Sequence, residues 1–221
     1  MIDLSKVQKR TTADISKRIV QDIPDGAHVN LGIGQPMTIS NYLPSDKEIL
    51  LHSENGLLGM GPLAKDHEID EELVNAGKQP VTMLPGASLC HHADSFVMIR
   101  GGHIDICVLG AFQVSVKGDI ANWRTGDPKA IPAVGGAMDL ALGAKKLFVM
   151  MEHLTKSGES KLVKECTYPL TALAAVDCIY TDLATIAVTP QGLVAVDWVE
   201  GISFEDLQAL SGVPMIQGSV R

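Results

Sequence analysis

The sequence predicts an α/β fold, an open and mainly parallel sheet covered by helices on both faces. Short apolar runs alternate with helical segments along the chain, which is typical of a doubly covered parallel sheet. Hydrophobic residues make up 46% of the chain and aromatic residues only 4%, and there are 21 glycines, a composition that suits close packing of helices on strands. The length of 221 residues predicts a single domain over 1–221.

The first half of the chain is predicted to begin with a helix. Ile15, Ile19 and Ile23 follow helical spacing, so we expect an amphipathic helix over residues 5–23 and a Pro-Asp-Gly turn after it. Pro36 is placed to open a second helix that ends near Leu43. The expected strands of this half are residues 28–31, 49–52 and 81–84, and residues 64–72 read as an acidic surface loop.

The second half shows the same alternation. We expect a helix over residues 93–100, closed by a glycine pair, and a last helix over 203–210 with Ser203 as N-cap. The predicted strands are residues 104–109 and 146–151, followed by a hairpin of 179–188 and 193–199 around a Thr-Pro-Gln-Gly turn.

Charge and cysteine usage exclude several classes of protein. The chain carries 18 basic and 26 acidic residues, a net charge of −8, with no basic stripe, which argues against a nucleic-acid or anionic-membrane partner. No apolar run approaches the ~18 residues of a membrane span, and the N-terminal residues have no apolar signal core. We therefore expect a cytoplasmic protein with reduced thiols at Cys90, Cys107, Cys166 and Cys178, because these show no C-x-x-C pairing.

The segment from Gly32 to Pro36 starts like a dinucleotide-binding fingerprint. It lacks the third glycine, and a proline stands where the helix begins, so a nucleotide site is disfavoured. Instead, Gly32 and Gly34 are expected to let the backbone pass close to another group at the carboxyl end of a strand.

The run Cys90-His91-His92-Ala93-Asp94 contains residue types that bind metals. Adjacent histidines rarely point at one ion, and no second cluster has zinc-like spacing. We interpret these residues as polar groups at a helix N-terminus, where Asp94 is favoured by the helix dipole, and we expect no metal site.

Glu54 directly follows an apolar strand and precedes Asn55-Gly56. Asn-Gly favours a tight turn with positive φ, which would place the glutamate side chain at the end of the strand. From spacing alone, a solvated turn carboxylate remains an open alternative. Ser53 lacks the G-x-S-x-G context of a hydrolase nucleophile.

Gly135 and Gly136 precede a segment with helical character. Backbone N–H groups at such a position can hold an oxyanion. An ordinary turn between a strand and a helix remains the alternative.

Several segments together resemble the B (beta) chain of the two-subunit class I CoA-transferases. They span nearly the whole sequence: VNLGIGQP, LHSENGLLGMGP, LVNAGKQP, SFVMIRGGHID, GDIANW, VGGAMDL, MMEHLTKSGESK and TYPLT. SENG is the most specific of them. Within the family, LHSENGLLGMGP, HHADSF, AFQVSVKGD and IPAVGGAMD are most similar to the 3-oxoadipate (β-ketoadipate) branch, and the acetoacetate and succinyl-CoA:3-oxoacid branches are close relatives.

The resemblance implies that Glu54 is the catalytic nucleophile, which attacks succinyl-CoA, passes through a mixed anhydride and then carries CoA as a thioester. It also implies that Gly135 and Gly136 contribute to an oxyanion hole. Asn55 and Gly56 would then shape the loop, Gly32 and Gly34 would edge the acyl pocket, and His52 would be structural. CoA is a substrate in this scheme, and no further cofactor is expected.

The resemblance also implies a partner. In two-chain members of the family, the CoA-associated glycine-rich motif is on the alpha subunit. That motif is not found here, and the chain is about half as long as the fused members. We therefore expect an A2B2 heterotetramer, an assembly of two alpha and two beta subunits. The implied fold is an open α/β sheet that is distantly shared with sugar-phosphate isomerases.

Two other functions are alternatives to this one. A small-molecule binding module on the same fold would bind without turnover and would need a DNA-binding segment that these residues do not contain. A sugar-phosphate isomerase would need basic phosphate ligands, and only Lys65 and Lys78 lie in the loops near Glu54.

Overall fold

Thirteen strands and four α-helices organise residues 4–127, 129 and 131–218, which are the residues described by a computed structural model. The α-helices are α1 (Thr12–Asp22), α2 (His92–Arg100), α3 (Ala137–Gly143) and α4 (Phe204–Ser211), and short 3-10 helices cover Leu4–Lys6, Gln35–Tyr42 and Asp66–Glu68. The strands are β1 (His28–Leu31), β2 (Leu50–Ser53), β3 (Leu57–Leu63), β4 (Val81–Leu89), β5 (Ile106–Leu109), β6 (Gln113–Ser115), β7 (Ile120–Ala121), β8 (Lys146–Met150), β9 (Leu162–Val163), β10 (Val176–Tyr180), β11 (Ala184–Thr189), β12 (Gly192–Trp198) and β13 (Met215–Gln217).

Ten of these strands form one sheet in the order β13-β12-β11-β10-β8-β5-β1-β2-β3-β4. The central strands β2, β1, β5, β8 and β10 are all parallel. Antiparallel pairs flank this centre, β2 with β3 and β3 with β4 on one side, and β10 with β11 and β11 with β12 on the other. The mainly parallel sheet is thus confirmed for the centre, and the flanks are antiparallel because hairpins build them.

The two faces of the sheet bury separate cores. Along β5, Ile106 and Val108 belong to one cluster, and Cys107 and Leu109 belong to the other. This alternation is expected for a strand that is covered on both sides. Helix α1 packs on the Ile106 side, whereas α2, α3 and α4 pack on the Cys107 side through Ile99, Leu140 and Leu207. Helices on both faces were predicted, and the structure confirms them.

The first helix is shorter than predicted. It begins at Thr12 because Thr11 caps it: the Thr11 hydroxyl accepts a hydrogen bond from the Asp14 N–H at 3.2 Å, and the Asp14 carboxylate accepts one from the Thr11 N–H at 2.9 Å. This reciprocal capping box fixes the helix start. The expected start at residue 5 was wrong.

Other predicted elements were also wrong in detail. The run 179–188 is two strands, since the Thr181 hydroxyl accepts hydrogen bonds from the Leu183 and Ala184 N–H groups and turns the chain between β10 and β11. Strand β3 was not predicted, and neither was the separate small sheet β7-β6-β9.

Four of the parallel strands end at one edge of the sheet. The residues that follow them are Gly32 after β1, Glu54 after β2, Gly110 after β5 and Met151 after β8. The chain passes from β1 to β2 on one side, and β5 lies on the other side of β1. Such a reversal leaves a crevice outside the carboxyl ends of the strands, where α/β proteins place their ligands. No helix within the described ranges has the length and apolar character needed to cross a membrane.

Candidate active site

A cavity of about 450 Å³ occupies this edge of the sheet. Its lining includes all four residues that follow the parallel strands, Gly32, Glu54, Gly110 and Met151, together with Gly135 and Gly136. A cavity of this size at the carboxyl edge of the sheet is the expected place for a small-molecule site.

Glu54 reaches the cavity from a tight turn. The turn runs from Ser53 to Gly56 and is closed by the Gly56 N–H, which donates to the Ser53 carbonyl at 3.0 Å. Gly56 has φ +113°, and a Cβ there would lie 2.2 Å from the Cys90 carbonyl oxygen, so only glycine fits. The positive-φ turn predicted for Asn-Gly is therefore present, with the positive φ at the glycine.

The Glu54 carboxylate is bound by a side chain of the neighbouring strand. The Asn30 amide, buried on β1, donates from Nδ2 to Glu54 Oε2 over 3.1 Å. The same Nδ2 lies 3.1 Å from His52 Nδ1, and Asn30 Oδ1 lies 3.8 Å from the Cys107 thiol sulfur, which donates to it. These contacts fix the orientation of the amide, because its nitrogen faces acceptors and its oxygen faces a donor.

His52 is buried behind Asn30. Burial first, and the charge of His28 second, lower the pKa of its imidazole to about 4, so the ring is neutral at neutral pH. Since Nδ1 accepts from Asn30, Nε2 carries the hydrogen and donates to Ser95 Oγ at 2.8 Å. His52 does not line the cavity, which agrees with the structural role expected for it.

Cys107 is fully buried on β5, close to the same network. Burial, and then the negative charge of Glu54, raise the pKa of its thiol well above the usual value. The group beside Asn30 is therefore a thiol and not a thiolate, so it can donate a hydrogen bond.

Another part of the cavity wall is the glycine pair before α3. Gly136 is the residue before the helix, and Gly135 has φ +48°. Neither backbone N–H has an acceptor among the residues described. Gly136 also admits Phe96 closely, since a Cβ there would lie 2.8 Å from Phe96 Cζ.

The structure separates the remaining predicted residues into two groups. Gly32 lines the cavity, and a Cβ there would lie 2.8 Å from Leu109 Cδ2. Gly34 (φ +96°) opens the 3-10 helix outside the lining, and Asn55 donates from Nδ2 to the Val74 carbonyl at 2.7 Å. Gly32, Glu54, Gly135 and Gly136 thus come together at the cavity, whereas Gly34, Asn55 and Gly56 shape the loops around it.

Sequence reasoning missed three functional candidates, Asn30, Glu152 and Lys161. An asparagine inside an apolar strand was a usable signal, because a buried amide needs partners. Glu152 follows β8 as Glu54 follows β2, and Gln35 Nε2 donates to its Oε1 at 3.3 Å. Lys161 lines the cavity half-buried, and its burial lowers the pKa of the ammonium group.

The residues considered for metal or phosphate binding have other roles or lie elsewhere. His91 caps α2, its Nδ1 accepting from the Ala93 N–H at 3.1 Å, and the His92 ring packs on Phe96 with centroids 5.1 Å apart. Within the described part of the chain, no three His, Cys, Asp or Glu side chains converge as metal ligands. Lys65 and Lys78 do not line the cavity.

Comparison with known proteins identifies the family. The model of the coenzyme A transferase family matches residues 12–206. The chain belongs to the coenzyme A transferase family. The resemblance inferred from the SENG segment and its companions is thereby confirmed.

Two relatives refine the position within the coenzyme A transferases. The chain is 62% identical over 210 residues to the B (beta) chain of 3-oxoadipate CoA-transferase from Pseudomonas putida KT2440, covering 95% of this chain and 98% of that protein. It is 46% identical to the corresponding B chain of succinyl-CoA:3-ketoacid coenzyme A transferase from Helicobacter pylori 26695, covering 88% and 93%. Both names describe the second subunit of a two-subunit enzyme, which implies an alpha partner.

A solved structure supports the fold of this coenzyme A transferase chain. The acyl-CoA transferase YdiF of Escherichia coli O157:H7 superimposes with a TM-score of 0.75 at 16% identity, over 95% of this chain and 42% of that chain. The present chain therefore spans less than half the length of that protein.

Proposed function

We propose that this chain is the glutamate-bearing beta subunit of a two-subunit CoA-transferase that moves CoA from succinyl-CoA to a 3-oxoacid, in particular 3-oxoadipate. The observation that carries the proposal is the position of Glu54, a carboxylate at the end of a central parallel strand, in the cavity and hydrogen-bonded to Asn30. The names of the relatives supply the substrate class.

The reaction would proceed through a covalent intermediate on Glu54. The carboxylate attacks the thioester carbonyl of succinyl-CoA, giving a mixed anhydride and releasing CoA thiolate. The thiolate attacks the glutamyl carbonyl, which leaves succinate and a glutamyl–CoA thioester. The 3-oxoacid then attacks that thioester, and the same steps in reverse return free Glu54 and the new acyl-CoA.

A carboxylate suits this chemistry better than a hydroxyl. A glutamyl thioester and a succinyl thioester have nearly the same bond energy, so the two half-reactions are matched. A serine ester would be more stable and would trap the intermediate. A carboxylate that is ionised at neutral pH also needs no activating base, which is consistent with the neutral, buried His52.

The cavity residues take distinct parts in this scheme. Asn30 orients the Glu54 carboxylate for attack, and the free N–H groups of Gly135 and Gly136 stabilise the oxyanion that forms at the reacting carbonyl. Gly32 edges the acyl pocket, while Gly34, Asn55 and Gly56 hold the surrounding loops. CoA enters as a substrate, and the mechanism needs no other cofactor.

The alpha subunit completes the enzyme. We propose an A2B2 heterotetramer in the cytoplasm, in which the alpha subunit contributes to the binding of CoA. The net charge of −8 supports this division, because the phosphates of CoA favour cations that this chain offers sparingly.

Mass spectrometry tests the central step. The chain is co-expressed with its alpha subunit, incubated with succinyl-CoA and digested, and we expect CoA on the Glu54 peptide. Glu54→Ala should abolish loading and lower turnover by at least about a thousandfold. Glu71→Ala, at an exposed carboxylate outside the cavity, is the matched control and should load normally. Normal turnover by Glu54→Ala would overturn the proposal.

The acceptor is tested separately. The wild-type complex is assayed with 3-oxoadipate and acetoacetate side by side, and we expect the higher kcat/KM with 3-oxoadipate. A preference for acetoacetate would assign the chain to the other 3-oxoacid branch and leave the role of Glu54 intact.

A further inference from the structure

Lys161 is the only lysine or arginine among the described residues that line the cavity. Within that same part of the chain, its ammonium group takes part in no hydrogen bond and no ion pair. A half-buried cation without a partner is unfavourable in an empty site, because desolvation is not offset by any direct contact. Such a group is typical of a site that receives an anion.

The backbone holds Lys161 in place from both sides. Its N–H donates to the His153 carbonyl at 3.1 Å, and its own carbonyl accepts from the Val114 N–H at 3.0 Å. The residue directly precedes β9, which pairs with β6 in the small sheet. The lysine stem therefore starts from a fixed point on the cavity wall, and only the side chain is free to adjust.

The nearby carboxylates are engaged elsewhere. Glu152 and Asp182 favour the charged form of Lys161 by their charge. Glu152 accepts a hydrogen bond from Gln35 at 3.3 Å, and Asp182 is paired with Lys9 at 2.9 Å and accepts from the His153 N–H at 2.7 Å. Both keep the lysine in a negative surrounding without occupying its ammonium group.

Much of the remaining wall is apolar. Ala111, Phe112, Leu140 and Met150 line the cavity between these polar groups. An apolar wall with one cation and one reacting carboxylate is complementary to a short methylene chain that carries an acid at its far end.

We propose that Lys161 binds the distal carboxylate of dicarboxylic acyl groups and so selects diacids over monoacids. The inference rests on the proposed function, since it concerns the acyl group transferred at Glu54. A diacid brings a second negative charge to a cavity that already contains Glu54 and Glu152, and the ammonium group offsets that repulsion. The flexible lysine stem lets one cation serve a shorter diacid, succinate, and a longer one, 3-oxoadipate.

The test compares acyl donors with and without the distal acid. The complex with the alpha subunit is prepared with Lys161→Met, Lys161→Arg and the control Lys164→Met, an exposed lysine of the same segment that does not line the cavity. The rate of CoA loading on Glu54 is measured with succinyl-CoA and with acetoacetyl-CoA. We expect Lys161→Met to lower kcat/KM for succinyl-CoA about 10–100-fold, the usual effect of losing a hydrogen bond to a charged group, and to change acetoacetyl-CoA by less than about threefold. Lys161→Arg should recover part of the loss, and Lys164→Met should behave as wild type.

Two results would overturn the inference. An equal loss with both donors would show that Lys161 serves CoA or the fold and not the distal acid, and an unchanged succinyl-CoA rate would show that it serves neither. If Lys161→Met does not assemble, the wild-type complex decides: it should prefer succinate strongly over monomethyl succinate as CoA acceptor, and equal use of both contradicts the proposal. Failure of the proposed function is distinct, because the wild-type complex would then load CoA on Glu54 from neither donor.

Discussion

The side-chain amide of Asn30 donates a hydrogen bond to Glu54 Oε2 over 3.1 Å and joins the adjacent strands β1 and β2 just where the cavity begins. The amide is itself fixed by His52 and by the Cys107 thiol. A buried polar network in which every member is satisfied is rigid. Within the described residues, no buried side-chain nitrogen or oxygen is left without a partner. Glu54 is therefore held in one orientation before any substrate arrives.

Removing the Asn30 amide should impair chemistry more than folding. We expect Asn30→Ala to lower kcat/KM about 10–100-fold, because a hydrogen bond to a charged group is lost. Steady-state kinetics of the complex with the alpha subunit, with thermal melting alongside, measure the two effects. Asn75→Ala is the control: this buried asparagine caps its own loop through Oδ1 and does not contact Glu54, so it should reduce stability but keep the rate per folded molecule.

Gly56 should tolerate no side chain. In Gly56→Ala the new Cβ would meet the Cys90 carbonyl oxygen at 2.2 Å in a backbone with φ +113°. Strain and overpacking together should cost about 2–4 kcal/mol and displace the Glu54 turn. Gly26→Ala separates the two causes, since Gly26 has φ +75° but open space around it, and should cost about 1 kcal/mol. Equal losses of stability in urea unfolding would contradict the steric explanation.

Gly135 tests the oxyanion hole. A Cβ at Gly135 meets nothing within 4 Å, so Gly135→Ala is limited by its φ of +48° alone. Relaxation toward negative φ would turn the N–H away from the reacting carbonyl, and we expect kcat to fall about 100-fold with little change in KM. Gly158→Ala has φ +86°, open space and no place in the cavity lining, so it should lose similar stability without losing kcat. A loss of kcat in both variants would argue against the oxyanion role.

Acid should destabilise the fold through two buried histidines. Burial is the first cause that lowers the pKa of His52 and of His153 to about 4. The unfolded chain binds a proton at each below about pH 6.5 while the folded chain does not, so the free energy of unfolding decreases as the pH falls from about 6.5 toward 4. From about pH 7 to about pH 5 the loss is about 2 kcal/mol for each histidine.

Urea unfolding across this pH range measures that loss. His153→Gln should flatten the pH dependence by the contribution of one histidine, although it is less stable at neutral pH because hydrogen bonds to Thr181 and Ser211 are altered. Curves for wild type and variant that stay parallel between about pH 7 and about pH 5 would show that His153 does not titrate as described.

The central sheet was predictable because its strands are apolar runs punctuated by turn residues. The predicted bounds of β1, β5 and β8 agree with the structure to within two residues. β3 was missed because its three Gly and Pro residues weaken the pattern of a strand, and it forms only through pairing with β2 and β4. The small sheet was missed because β7 and β9 have only two residues each and depend on long-range contacts.

The candidate site was predictable only where local chemistry marks it. The Asn-Gly turn pointed to Glu54, and the resemblance pointed to Gly135, whereas nothing local connects Asn30 or Lys161 with the cavity. Asn30 meets Glu54 because β1 and β2 are neighbours in the sheet, and Lys161 reaches the cavity from a segment that follows β8. Such meetings depend on strand order, which residue spacing does not contain.

The raised pKa of Cys107 has a consequence for the fate of the intermediate. A glutamyl–CoA thioester reacts readily with thiolates, and a thiolate beside Glu54 would capture the glutamyl group and end the cycle after one turnover. Cys107 stays protonated, is fully buried and donates its hydrogen to Asn30. The residue that is chemically best able to inactivate this enzyme from within is thus kept unreactive by the same network that orients its nucleophile.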